Sequence, residues 1–169
     1  MDAGPNCIAV VEHFEGCRLR AYPDPKTGGV PWTIGVGATG AEISPGVVWT
    51  QQQADDRLAA DLAERADDAT NALLVTVSQG QFDAFVSALF NIGHGSPIKD
   101  GLIRLRSGYP STFLRKLNAG DYSGARDQLL LWVSPGSSVE HGLMRRRKAE
   151  TALWDGASGL DAIAIGDLV

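Results

Sequence analysis

Ile8, Val11 and Phe14 recur at the spacing of one helix face, and Asn6 ahead of them is a suitable N-cap. The chain is therefore predicted to open with a helix over Cys7–Glu15. Gly16 would stop that helix and leave Glu15 at its mouth. Trp32-Thr33-Ile34-Gly35-Val36-Gly37 alternates like a short strand, with Leu19 and Tyr22 on a partner strand, so a small antiparallel sheet is expected over about residues 18–40. From Thr50 the period changes. Thr50-Gln51-Gln52-Gln53 reads as a capping box, followed by Ala54, Leu58, Ala59, Leu62, Ala66 and Ala69 at helical spacing, with charged residues between them. That pattern predicts a long helix over about 50–72, exposed on one side and joining two lobes.

The remainder reads as helical. Ser78-Gln79-Gly80-Gln81 is a second capping box, opening Phe82–Phe90. Pro110-Ser111-Thr112 starts a helix ending near Asn118-Ala119-Gly120, Asp121 caps one that carries Leu129 to Trp132, and a last one runs from about Gly142 to Trp154. Beyond Gly156 both charge and periodicity fade, so residues 157–169 are expected to pack loosely or fray. The fold class is α+β. A single domain over 1–156 divides into an N-terminal lobe (about 1–49), the connecting helix (about 50–72) and a mainly helical C-terminal lobe (about 73–156).

Composition narrows the partners. A chain of 169 residues can bury one sizeable core. Its formal charge of −5 gives no electrostatic footprint for nucleic acid. No apolar run is long enough to span a bilayer, and Met1-Asp2-Ala3-Gly4-Pro5-Asn6 lacks the basic and hydrophobic regions of a secretory leader, which points to a cytosolic or externally delivered protein. Cys7 and Cys17, ten positions apart, would lie roughly 15 Å apart on one helix, so two separate buried or half-buried thiols are expected unless the helix ends between them. His13, His94 and His141 are far apart in sequence and lack Cys partners, so no metal site is expected. His13 is assigned to the exposed side of the first helix and His141 to a loop.

Glu15, at the end of an apolar helix, is a candidate general acid, because burial favours the protonated carboxyl. Asp24 lies in the turn Tyr22-Pro23-Asp24-Pro25, where backbone donors can keep it ionised, and Thr33 on the strand offers a hydroxyl to orient water. Two carboxyl groups and a hydroxyl suit cleavage of a glycosidic bond by water, yet the three residue types alone also fit capping and surface roles.

The wider pattern adds a resemblance. Glu15-Gly16-x-Arg18-Leu19-x-Ala21-Tyr22-x-Asp24, then Trp32-Thr33-Ile34-Gly35-x-Gly37, resembles the phage-type lysozymes, the T4-lysozyme-like muramidases and endolysins. Phe90-Asn91-Ile92-Gly93, Leu114 to Tyr122, Leu131-Trp132-Val133 and Gly142 to Glu150 continue the resemblance in order, over roughly residues 7–156. It implies a two-lobed fold and hydrolysis of the β-1,4 bond from N-acetylmuramic acid to N-acetylglucosamine in bacterial peptidoglycan. Carried over by position, Glu15 is the general acid, Asp24 and Thr33 hold the attacking water, Asn91 touches substrate, and Arg145, Arg146 or Arg147 supports Glu15. It further implies a monomer without cofactor or metal, held in the host cytoplasm and reaching the wall with the help of a holin. Four departures stand out: eight residues separate Asp24 from Thr33, Ala38 replaces a customary His, Phe14 precedes Glu15, and the chain is acidic. A carboxyl pair about 6.5–9.5 Å apart would invert the anomeric centre.

Trp32 and His94 are further candidates for substrate contact. Their competing roles are packing, for all four tryptophans, and backbone hydrogen bonding, for His94. Arg145-Arg146-Arg147-Lys148 reads as a solvated face carrying one functional arginine. A lytic transglycosylase, needing the acid but not Asp24 and Thr33, and a non-catalytic peptidoglycan-binding module are the alternatives.

Overall fold

The structure, a computed structural model, describes every residue except Pro25 and Lys26. Helix α1 (Pro5–Glu15) buries Cys7, Val10 and Val11. Its last turn closes with Gly16 N–H donating to the Glu12 carbonyl at 2.9 Å, and Gly16 then takes φ 67°. A side chain there would carry a penalty of about 1–2 kcal/mol, so glycine ends the helix directly after Glu15. Asn6 lies inside α1 rather than capping it; its Oδ1 accepts from Gly159 N–H at 2.8 Å.

Strands β1 (Arg18–Pro23), β2 (Trp32–Gly35) and β3 (Ala38–Thr39) form an antiparallel sheet in sequence order. Tyr22 pairs with Thr33 and Pro23 with Trp32, while Thr33 and Ile34 pair with Thr39 and Ala38. Side chains alternate along a strand, so Trp32 and Ile34 share one face and Thr33 takes the other. The Ile34 face is a small core: Ala21, Ile34, Ala38 and Ile43, covered by Trp32, Val47 and Trp49. Slipping the register by one residue would exchange the faces, so burial of Ile34 keeps Thr33 away from the core.

Helix α2 (Gln51–Ala72) starts with the expected capping box. Thr50 Oγ1 accepts from Gln53 N–H, and Gln53 Oε1 accepts from Thr50 N–H. Ala54, Leu58, Leu62, Ala66 and Ala69 are buried along one stripe. Arg57 ties the sheet to α2, donating to the Thr39 carbonyl, Glu42 and Asp61.

The remaining helices are α3 (Gln79–Ile92), α4 (Thr112–Asn118), α5 (Tyr122–Leu129), α6 (Glu140–Trp154) and α7 (Gly159–Asp167). Ser78 and Gln81 form the second capping box. Phe113 meets Phe85 at a tilt and Trp154 edge-on in the core among them, with ring centroids 4.9 and 6.1 Å apart. Helix α5 stops at Leu129, short of Trp132. Helix α6 starts at Glu140, so His141 is helical rather than in a loop. The segment expected to fray instead forms α7, capped by Ser158 and buried through Gly159, Ala162 and Gly166. A Cβ at Gly159 would meet that of Ala9 at 3.1 Å. Small residues bring the helices together, and they carry almost no hydrophobic periodicity to read.

The chain forms two compact units, Glu12–Ala63 and a second made of Met1–Val11 with Glu64–Val169. In the second, Asp121 caps α5 by accepting from Gly124 N–H, and Lys116 donates to its other oxygen at 2.7 Å. The hydrogen bond from Lys116, with that from Gly124, holds the Asp121 carboxyl below the usual aspartate range. This stabilisation is present above the ordinary aspartate pKa and is lost as pH falls through the lowered value. Asp121→Asn is expected to lower the melting temperature at neutral pH, with the gap to wild type shrinking as the solution is acidified; thermal melts across the acid range check this.

Candidate active site

Glu15, Asp24, Trp32 and Thr33 all fall within the compact unit Glu12–Ala63. Glu15 is half-buried, less enclosed than the sequence suggests, because Phe14 beside it is also only half-buried. The Phe14 ring instead meets the exposed His13 edge-on at 4.9 Å. The Glu15 carboxylate lies against the β2–β3 turn, where a Cβ added at Gly37 would sit 3.6 Å from Oε2. Gly37 has φ 77°, so the turn favours glycine, and glycine leaves the space beside the acid open.

Thr33 is half-buried on β2, and Asp24 follows β1 directly, two residues beyond Tyr22, the partner of Thr33. Asp24 Oδ1 accepts from Thr27 N–H at 3.0 Å, and its backbone bonds to Gly28 and Gly29. Of these, the Thr27 N–H is a backbone donor to the carboxylate of the kind expected in a turn, while the Gly28 and Gly29 bonds close the turn through the main chain. Pro25 and Lys26, part of the eight-residue separation between Asp24 and Thr33, lie outside the described residues. Trp32 packs partly buried on the Ile34 core, and Arg18 stacks on the Tyr22 ring at 4.6 Å.

The other candidates sit in the second unit. Asn91, at the end of α3, is half-buried, and its Oδ1 accepts from Arg147 Nη2 at 2.7 Å. His94 Nδ1 lies 3.5 Å from Asp68 Oδ2, so the partner of its ring is a carboxylate rather than the expected backbone. Arg145 pairs with Asp167 of α7. Arg146 is 3% exposed and Arg147 0%, which corrects the reading of this cluster as a solvated face. Their partner, Glu150, went unrecognised in the chain: it is also 0% exposed, pairs with Arg146 at 3.1 Å and Arg147 at 3.0 Å, and accepts from Ser87 Oγ at 2.9 Å. The Arg-Arg-Arg-Lys run hid the signal, because the acid three and four positions on reads as an exposed helix pair.

Cys17 is exposed, not buried or half-buried as expected, and Cys7 is fully buried. Burial, with Asp83 and Glu150 nearby, pushes the Cys7 thiol far up, so it stays protonated and unreactive. Among the described residues, no group of three or more His, Cys, Asp or Glu side chains is placed to hold a metal ion.

The family model for phage lysozyme matches residues 12–150. The chain belongs to the phage lysozyme family. Among its relatives, the endolysin of Salmonella phage P22 is 35% identical, over 91% of this chain and 98% of its own length. That of Bacillus phage B103 is 36% identical over 87% of this chain, which spans only 51% of it, about half the length of that relative. The muramidase domain of SpmX from Asticaccaulis excentricus superposes with a TM-score of 0.74 at 29% identity, covering 90% of this chain and 97% of that domain. The lysozyme-like α+β fold, with its three-stranded sheet ahead of a helical second unit, is thus a property shared with this family.

Proposed function

We propose that this phage lysozyme relative hydrolyses peptidoglycan at the β-1,4 bond between N-acetylmuramic acid and N-acetylglucosamine, as a phage lysis enzyme that reaches the wall with the help of a holin. The observation that carries the reading is the gathering of Glu15, Asp24 and Thr33 in one compact unit: an acid at a helix end against a glycine turn, an aspartate just past β1, and a hydroxyl on the face of β2 away from the core. Glu15 donates its proton to the departing glycosidic oxygen as the bond breaks. Asp24 takes a proton from water while Thr33 holds that water, which adds to the sugar carbon from the opposite face, so the product forms with inverted configuration.

The roles are separable by substitution. Thr33→Ala is expected to slow hydrolysis by about tenfold to a hundredfold through loss of water placement. Thr33→Glu replaces the water by a carboxylate and is expected to accumulate a covalent glycosyl-enzyme, seen as added mass on the intact protein. Hydrolysis by Thr33→Ala at the wild-type rate would remove Thr33 from the mechanism.

A further inference from the structure

We propose that Arg147, though fully enclosed, sets the hydrogen-bonding polarity of Asn91, so that Asn91 offers an N–H donor to an acetamido carbonyl of the glycan. This rests on the reading of the protein as a peptidoglycan hydrolase. Arg147 is 0% exposed, so it cannot itself touch a ligand. Its Nη2 lies 2.7 Å from Asn91 Oδ1. A guanidinium has five donors and no acceptor, so only the oxygen of the amide can face it, and the nitrogen is turned elsewhere. Among the described residues, the nitrogen Nδ2 has no protein partner.

Arg147 is ion-paired with the Glu150 carboxylate, itself 0% exposed and hydrogen-bonded to Ser87 and Arg146. Burying such a cluster brings little net stability compared with apolar packing, so a use in fixing geometry is a reason to have it. Asn91 lines a recess of about 300 Å³ with Lys99, Trp132, Ser134 and Leu143. Ser134 has φ 52°, the one described non-glycine residue in the left-handed region, a kind of strain that clusters where ligands bind. Trp132 is half-buried and so keeps part of its ring in solvent. An aromatic surface beside an oriented amide donor suits a sugar ring carrying an N-acetyl group.

The test uses soluble, uncrosslinked peptidoglycan chains and steady-state kinetics. Asn91→Asp keeps an oxygen for Arg147 but replaces the outward donor by an acceptor. It is expected to raise KM about tenfold or more, with kcat within about twofold and no fall in melting temperature. Arg147→Lys keeps the charge opposite Glu150 but lacks the fork that also reaches Asn91. It is expected to raise KM as well, and the double variant to be no worse than the weaker single one. A wild-type KM for Asn91→Asp, or fully additive effects in the double variant, would overturn the proposal. A wild-type protein that releases no sugar ends would sink the hydrolase reading instead. Orientation is then decided by NMR on the slowed Glu15→Gln variant: its Asn91 Nδ2 proton signals shift when the same chains are added if the proposal holds, and stay in place if it does not.

Discussion

Glu15→Gln is expected to slow release of sugar ends from purified cell walls by about 10²–10⁴, the usual cost of removing a general acid. Glutamine keeps the size and most of the polarity of the side chain, so its packing at the end of α1 is preserved while the transferable proton is lost. Thermal stability should therefore stay close to wild type, because Glu15 is half-buried and ends the helix rather than anchoring a core. Asp24→Asn is expected to be severe as well, since an amide cannot take a proton from water. It retains an oxygen able to accept from Thr27 N–H, so the turn is expected to survive. Turbidity clearing by Glu15→Gln at the wild-type rate would refute the catalytic assignment.

The second large effect concerns stability. Glu150→Gln is expected to cost about 3–5 kcal/mol, because two buried guanidinium groups lose the carboxylate they share. At about 2–4 °C per kcal/mol for a chain of this size, the melting temperature would fall by roughly 6–20 °C. Denaturant titration reads the same loss as a lower midpoint at unchanged slope. A variant as stable as wild type would show that neither arginine depends on this acid.

The elements defined by strong periodicity or by side-chain caps were legible in the chain. Thr50 and Ser78 mark the starts of α2 and α3, and Gly16 the end of α1, because each signal is local and acts within a single turn. The alternation through Trp32-Thr33-Ile34 was legible for the same reason, and it placed Thr33 opposite the core. Helix α7 was not, since Gly159, Ala162 and Gly166 pack by being small, and small residues leave no hydrophobic stripe. The burial of Arg146 and Arg147 was hidden too. A run of four cations looks solvated until the acid that compensates it is known to be buried, and only tertiary packing decides that. At the candidate site, Glu15, Asp24 and Thr33 could be named from the sequence. What it could not supply was the turn at Gly37 beside the acid, or the arginine behind Asn91.

In the proposed mechanism Glu15 and the Asp24–Thr33 pair cut the glycan with water. Digesting purified peptidoglycan in water enriched in heavy oxygen, then weighing the released fragments, tests it most directly. Attack by water leaves one heavy oxygen at each new reducing end, on N-acetylmuramic acid. Fragments ending in anhydro-muramic acid, with no oxygen taken from the solvent, would contradict it and assign the attack to the substrate's own hydroxyl.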